Sequence, residues 1–335
     1  MSIVKLVNIK RNLTDKQVYM QSFCESWIAG GGAYIPASDI TKNKLKKNLL
    51  KVFALSGLGI RKNKCDEAYL ICSRGQHLLK SSLPFCFKGE IIPMLWDCWE
   101  YTWKDLERDL RLLNVKICFM TASAAVRHFS ELMPDIRFYH IPEGVDVKDY
   151  QQGKELDDRS IDVYEIGRKY PAYHQKLIDG ELAKRHKFIY LNKKPDGKTF
   201  IFETFDAYLA AVRNSKITVS FPASVTDPIN ASVETLSMRY WESLLSKCII
   251  VGHCPRELSD LLGYNPVIEA DMKEPVKQID DILDNIGEWQ SFVDKNYEAA
   301  LRHASWDGRI KHIFKILNQE GYIYKTAEQD TNGID

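Results

Sequence analysis

Long apolar runs are absent from this sequence of 335 residues. No stretch of 18 or more consecutive apolar residues occurs, so no segment has the sequence of a membrane-spanning helix. An excess of one charge is also missing, because 46 basic and 45 acidic residues give a formal net charge of +1. A near-neutral chain lacks the basic surface of a general nucleic-acid binder, so we expect no nucleic-acid partner.

Cysteine pairs with metal-binding or redox spacing are absent as well. The eight cysteines include no C-x-x-C pair, and most lie in apolar surroundings. We therefore expect reduced core residues and no zinc site. Residues 1–9 read as a strand and lack the pattern of a secretory signal, which favours a cytoplasmic protein.

Strand-like apolar runs alternate with helix-like segments along most of the chain. Strands are predicted at residues 3–9, 68–72, 90–96, 116–121 and 136–141, then from 161 and at 188–191, 217–221, 248–251 and 266–269. Strands that alternate with helices of 10–15 residues indicate βαβ units and parallel sheets. The length allows two such domains, with a polar linker at 151–159. We predict an α/β protein of two Rossmann-like domains, residues 1–150 and 151–318, followed by a tail at 319–335.

Residues 233–252 combine a loop, a short helix and a buried strand. Thr235 and Ser237 are candidate N-caps of that helix. Arg239 and Glu242 are i,i+3 neighbours on one helix face. A helix start with an arginine and a carboxylate suits a nucleoside diphosphate, whose phosphates meet the cation and whose ribose hydroxyls meet the carboxylate. The alternative is an i,i+3 salt bridge on an ordinary surface helix.

Glu234 and Glu242 form a Glu-x7-Glu pattern that runs into a helix and a short strand. This pattern resembles the nucleotide-sugar glycosyltransferases of the GT-B fold, in the family-4-like retaining group. The variant S-x-R-x-W-E at 237–242 is similar to the CgeB-like (spore-protein-like) branch. There are two departures, because Thr235 stands where a glycine usually follows the first glutamate, and Lys247 where a glycine commonly precedes the strand.

The resemblance implies two domains facing across a cleft, with the nucleotide on the second and the acceptor on the first. It also implies a last helix, at about 307–318, that packs back on the first domain. Glu242 would bind the ribose hydroxyls, and Glu234 would lie by the transferred sugar as a catalytic residue.

A Gly167-Arg168 turn after a strand resembles the Gly-Arg turn of the same enzymes, so Arg168 is a candidate phosphate ligand. Lys176 on the next helix is a second candidate. Without the resemblance, Arg168 belongs to a merely basic turn. No D-x-D motif occurs, so we expect no metal and no cofactor beyond the nucleotide sugar.

Polar and aromatic residues also follow two predicted strands of the first domain. Ligands of open α/β sheets bind beyond the carboxyl ends of strands. Aromatic faces beside a carboxylate suit a sugar ring, and Asp97 could orient or deprotonate an acceptor hydroxyl. The candidate acceptor-binding residues are Arg74, Trp96, Trp99 and Glu100. The alternatives are core packing for the two tryptophans and a helix N-cap role for Asp97.

Residues 41–64 contain eight basic side chains and no acidic one. Leu45, Leu49, Val52 and Phe53 share one side of a predicted helix, and Lys44, Lys47 and Lys51 share the other. Such a basic amphipathic helix suits an anionic membrane surface or an anionic acceptor. The alternative is a helix that packs on its own sheet and leaves its lysines in water.

We therefore predict a glycosyltransferase of the hexosyltransferase type. It would move a sugar from a UDP or GDP sugar to a hydroxyl of a glycan or lipid-linked acceptor, in polysaccharide or cell-surface glycan synthesis. The expected location is the cytoplasm, with residues 42–64 as an optional contact to the inner membrane face. Two alternatives stay open: a GT-B epimerase of nucleotide sugars, and a non-catalytic scaffold.

Overall fold

The computed structural model describes residues 2–8, 18–36, 44–56, 60, 66–191 and 201–324. These residues form two compact units. Unit 1 contains the described residues up to Gly144 and from Trp306 onward, and unit 2 is Val145–Ser305. Most of the expected tail, residues 325–335, lies outside the described residues, as do several basic residues between 42 and 64.

Both units alternate strands and helices. In the described residues the strands are β1 (Ser2–Val7), β2 (Tyr34–Ile35), β3 (Glu67–Arg74), β4 (Glu90–Trp96), β5 (Ile117–Met120), β6 (Arg137–His140), β7 (Ile161–Glu165), β8 (Phe188–Ile189), β9 (Ser215–Ser220), β10 (Ile249–Gly252), β11 (Ile268–Glu269) and β12 (Tyr322–Ile323). The helices are α1 (Val18–Ala29), α2 (Lys44–Leu55), α3 (Leu78–Ser82), α4 (Trp103–Leu112), α5 (Ser123–Leu132), α6 (Pro171–Asp179), α7 (Leu182–Arg185), α8 (Phe205–Arg213), α9 (Ala223–Thr226), α10 (Met238–Leu245), α11 (Arg256–Leu262), α12 (Pro275–Asp284), α13 (Gln290–His303) and α14 (Trp306–Gln319).

Unit 1 is built on a parallel sheet with the strand order β12-β1-β3-β4-β5-β6, and β2 also pairs with β1. All four residues of β5 are buried, as expected for a strand covered on both faces. Helices α1 and α14 pack in the same core, where the Trp306 ring meets the ring of Phe23 at a centroid distance of 5.2 Å. The last long helix therefore completes the core of unit 1.

Unit 2 is built on a second parallel sheet, in the order β11-β10-β9-β7-β8. Helix α10 buries Trp241 and Leu245 beside the fully buried strand β10. A Cβ on Gly252 would lie 1.8 Å from the carbonyl oxygen of Ser220, so the ends of β9 and β10 approach closely only because this residue is glycine. The two parallel α/β sheets confirm the predicted fold class.

The described cysteines are buried free thiols, namely Cys24, Cys72, Cys86, Cys98, Cys118, Cys248 and Cys254. Burial raises the pKa of the Cys86 thiol to about 12, so it stays protonated at neutral pH. No helix within the described ranges has both the length and the apolar character needed to cross a bilayer.

Candidate functional site

The start of helix α10 packs against the turn that follows β7. Gly167 in that turn has a φ of 71°, in the left-handed region that favours glycine. A Cβ at this position would lie 1.9 Å from Nη1 and 2.4 Å from Cδ of Arg239. The absence of a side chain on Gly167 therefore makes room for the Arg239 side chain.

One turn further along α10, Glu242 is buried, with 2% of its surface exposed. Its Oε2 accepts a hydrogen bond from the Tyr208 hydroxyl at 2.5 Å. Burial raises the pKa of the Glu242 carboxyl, while the Tyr208 hydrogen bond and the charge of Arg239 act to lower it. The surface-helix alternative is wrong, because α10 is largely buried and its described contacts include no Arg239–Glu242 ion pair. We call Gly167, Arg168, Tyr208, Arg239 and Glu242 the Arg239 cluster.

Arg168 follows Gly167, and its side chain is half exposed. Its Nη1 lies 3.8 Å from Oδ2 of Asp227, a long ion-pair distance. Lys176 lies on α6, and its Nζ donates a hydrogen bond to the carbonyl oxygen of Met272 at 2.5 Å. That contact is outside the Arg239 cluster, so Arg168 is the better placed of the two predicted cations.

Ser237 occupies the N-cap position of α10, with an extended backbone at φ −119° and ψ 158°. Its side chain makes no cap hydrogen bond, and its Oγ is buried without a hydrogen-bond partner among the described residues. Thr235 instead hydrogen-bonds Oε2 of Glu257 at 3.2 Å. The predicted capping by these hydroxyls is therefore wrong, and the Ser237 hydroxyl is left at the helix start.

Glu234 is held by the segment that follows β10. Its Oε1 accepts a hydrogen bond from the Arg256 amide at 2.7 Å, and its Oε2 lies 3.2 Å from Nε2 of His253. The other ring nitrogen of His253 lies 3.0 Å from Oε2 of Glu269. Because these partners sit at the carboxyl end of β10, Glu234 also lies at that edge of the sheet.

The loop before α10 and the start of α11 are also joined by a hydrogen bond in which the carboxylate comes from α11. Glu257, in the first turn of α11, accepts the Leu236 amide at 2.8 Å. The loop before α10 and the start of α11 therefore hold each other through one carboxylate from each side.

Glu165, the last residue of β7, was not identified from the sequence, because I-D-V-Y-E reads as an ordinary strand. It is 1% exposed, and its Oε2 lies 2.6 Å from Nδ1 of His174. Burial raises the pKa of Glu165 to about 7, against the lowering effect of Lys169. Burial and the same lysine lower the pKa of His174. Glu165 lies two residues before Gly167, and His174 lies after the turn on α6. Tyr208 was also missed, since nothing near it in sequence indicates its contact with a carboxylate 34 residues away.

In unit 1, the carboxyl ends of β3 and β4 bring two predicted residues together. Arg74 is in register with Trp96, and its Nε lies 3.1 Å from Oδ2 of Asp97. Asp97 has a φ of 50° and does not occupy an N-cap position of the following helices, which begin after Trp99 and Thr102. The N-cap alternative for Asp97 is therefore wrong.

The two tryptophans have different environments. Trp96 is 2% exposed and its ring packs edge-on against Phe23 and Trp306, so it is a core residue and the acceptor role predicted for it is wrong. Trp99 is half-buried and Glu100 is exposed. The predicted group around Asp97 thus reduces to Arg74, Trp99 and Glu100.

No protein-family model and no curated protein sequence matches this chain. Solved structures do match it over nearly their whole length. Sucrose-phosphate synthase from Thermosynechococcus elongatus superposes with a TM-score of 0.59 at 11% identity, over 96% of this chain and 99% of that one. HepE from Anabaena, in complex with UDP and glucose, superposes with a TM-score of 0.62 at 10% identity, over 95% of this chain and 100% of that one. Trehalose-6-phosphate synthase OtsA superposes with a TM-score of 0.61 at 9% identity, over 95% of this chain and 99% of that one.

The chain has the GT-B fold. At sequence identities near 10%, these similarities show a shared fold and do not show a shared substrate or role. The predicted GT-B architecture of two Rossmann-like sheets is thus confirmed, whereas the CgeB-like branch rests on the sequence motif alone. In this GT-B chain the Arg239 cluster lies at the carboxyl edge of the unit 2 sheet, where open α/β sheets bind ligands. Within the described ranges, no three His, Cys, Asp or Glu side chains are grouped to hold a metal ion.

Proposed function

We propose that this protein is a glycosyltransferase that binds a nucleoside-diphosphate sugar at the Arg239 cluster. The observation that carries the proposal is the packing of Arg239 over Gly167 at the start of α10. Two arginines beside the N-terminus of α10 form a cationic, hydrogen-bonding site suited to a diphosphate. HepE structures in complex with UDP and with UDP-glucose support UDP as the first nucleotide to examine.

The proposed chemistry follows from the charges that develop. Breaking the bond from the sugar to the diphosphate leaves negative charge on the phosphates and positive character on the sugar ring. Arg168, Arg239 and the first amides of α10 would stabilise the leaving diphosphate. Lys176 would join them only by leaving the Met272 carbonyl. We expect no metal in this step.

The two glutamates of the motif would have different partners. Glu242 would accept the ribose hydroxyls, while its Oε2 keeps the hydrogen bond from Tyr208. Glu234 would lie by the transferred sugar, with Thr235 in the adjoining loop. Its hydrogen bonds to Arg256 and His253 would fix its orientation.

We assign acceptor recognition to unit 1. Asp97 would orient or deprotonate the acceptor hydroxyl, and Arg74, 3.1 Å away, would hold that carboxylate in place. Trp99 and Glu100 would contact the acceptor. A glycan or lipid-linked acceptor, a retained anomeric configuration and a role in polysaccharide synthesis follow from the family resemblance.

Calorimetric titration with UDP and UDP-glucose tests the donor site. Arg239→Ala removes charge-assisted hydrogen bonds worth about 1.5–3 kcal/mol, so the dissociation constant for UDP should rise ~10- to 150-fold. Arg111→Ala is the control, because that arginine is exposed on α4 and, among the described residues, forms an ion pair with Glu107 alone. Unchanged UDP affinity in Arg239→Ala would contradict the assignment.

The purified protein and the same nucleotides also distinguish a glycosyltransferase from the two alternatives, an epimerase and a non-catalytic scaffold. Incubation with UDP-glucose alone, followed by NMR, should show no new sugar epimer, whereas an epimerase needs no acceptor and would form one. Absence of binding heat with every nucleoside diphosphate would favour the scaffold.

A further inference from the structure

Helix α2 turns its apolar side toward solvent. Leu49, Val52 and Phe53 are 66%, 68% and 48% exposed, whereas Ala54 is fully buried. At about 100° per residue, Ala54 lies roughly opposite Leu49 and Val52. The helix therefore packs on unit 1 through the side that carries Ala54. The alternative of a helix whose apolar side covers its own sheet is therefore wrong for Leu49, Val52 and Phe53.

This exposed stripe is continuous. Leu55 adds a fourth exposed apolar side chain, 46% accessible, so such residues occur on successive turns of one helix. Apolar residues scattered singly on a surface need no explanation, but a contiguous patch marks an interaction surface. The only described ring contact of the stripe is between Phe53 and Phe87, with centroids 5.7 Å apart.

Positive charge borders the stripe. Lys51 is exposed, and three more lysines occur in the first turn of α2, while residues 41–64 contain no acidic side chain. The described sequence of α2, K-L-K-K-N-L-L-K-V-F-A-L, carries four lysines and no acidic residue. An exposed apolar face on a helix with basic and no acidic residues has the form of a helix that lies in the plane of an anionic bilayer.

We propose that α2 docks unit 1 on an anionic phospholipid bilayer. The apolar side chains would enter the acyl boundary while the lysines meet the lipid phosphates. A second copy of this chain is a poorer occupant, because two α2 helices would bring like charges together. The inference goes beyond the proposed function and does not depend on the donor site.

Flotation with phosphatidylcholine vesicles, with and without phosphatidylglycerol, tests this docking. The protein should float only with the phosphatidylglycerol vesicles. Each basic residue near an anionic surface is worth about 1 kcal/mol, or about fivefold, so Lys51→Glu should lower the partition coefficient ~25-fold. Lys104→Glu, at an exposed site on α4, is the matched control and should leave partitioning unchanged.

A second pair of variants tests the apolar contact. Val52→Ser should weaken partitioning at least about tenfold, since burial of a valine side chain is worth about 1.5 kcal/mol or more. Ile229→Ser, with the parent residue 65% exposed in unit 2, should have no effect. Both sites are exposed, so both variants should keep the wild-type melting temperature.

Three flotation results would overturn the docking proposal. They are equal flotation with both kinds of vesicle, no flotation at all, and unchanged flotation of Lys51→Glu and Val52→Ser. A dimer in sedimentation velocity that Val52→Ser abolishes would also overturn it and would assign the stripe to a second copy of the chain.

Discussion

Replacement of Gly167 by alanine would test the contact on which the donor site depends. The chain offers a matched control in Gly263. The two glycines have nearly the same φ, 71° and 76°, in the left-handed region. A Cβ at Gly167 would collide with Arg239, whereas a Cβ at Gly263 would meet no atom within 4 Å. The pair therefore separates backbone strain from displacement of the arginine.

The expected sizes follow from these contacts. Alanine in the left-handed region costs about 1–2 kcal/mol, so both variants should lose that much free energy of unfolding. In Gly167→Ala the Arg239 side chain must also move, because 1.9 Å is far below any van der Waals distance. Loss of its charge-assisted hydrogen bonds, about 1.5–3 kcal/mol, should weaken UDP binding ~10- to 150-fold in that variant alone.

Denaturant unfolding and UDP calorimetry on both variants measure the two effects. Adding Arg239→Ala to Gly167→Ala should remove the extra stability loss of the latter, since the collision disappears. Equal UDP affinity in Gly167→Ala and Gly263→Ala would refute the reasoning, because it would mean that the position of Arg239 does not matter for the nucleotide.

Two further predictions concern buried carboxyls. Tyr208→Phe removes the hydrogen-bond donor to Glu242 and should lower the free energy of unfolding by about 1–3 kcal/mol at pH 8 in a denaturant titration. The loss should be smaller in acid, where the Glu242 carboxyl is protonated. Tyr173→Phe is the control and should have little effect, because the buried Tyr173 hydroxyl has no partner among the described residues. The pKa of Glu165 is raised from its ordinary 4.5 to about 7, so the folded state binds the extra proton and stability falls as pH rises through that window. At about 1.4 kcal/mol per pH unit the loss approaches ~3 kcal/mol, and Glu165→Gln should abolish it; identical pH profiles of unfolding for that variant and wild type would contradict this.

Local patterns predicted the architecture well. Helix α10 and strand β10 were found because their apolar residues are continuous or regularly spaced, and such patterns depend on neighbours in sequence. Strands β2 and β12, each of two residues, were missed.

The contacts of the site were harder to foresee, because they join residues far apart in the chain. Trp96 and Trp99 belong to one short motif, yet only the former enters the core, since it ends β4 and packs against a helix 210 residues later. The Tyr208–Glu242 bond spans 34 residues and the Glu234–His253 contact 19, so neither has a local signature. The Gly167-Arg168 turn was found through the family resemblance. The contact of this turn with Arg239 could not be predicted, because it depends on how β7 and α10 are placed in the fold.

The location of α14 in unit 1 has a consequence for biosynthesis. Trp306 is fully buried against Phe23 and Trp96, so the core of unit 1 combines residues that are synthesised before unit 2 with residues that are synthesised after it. Unit 2 is contiguous from Val145 to Ser305 and can close its own core earlier. During translation the apolar surface of unit 1 therefore stays uncovered until α14 has been synthesised, whereas unit 2 can fold before that point.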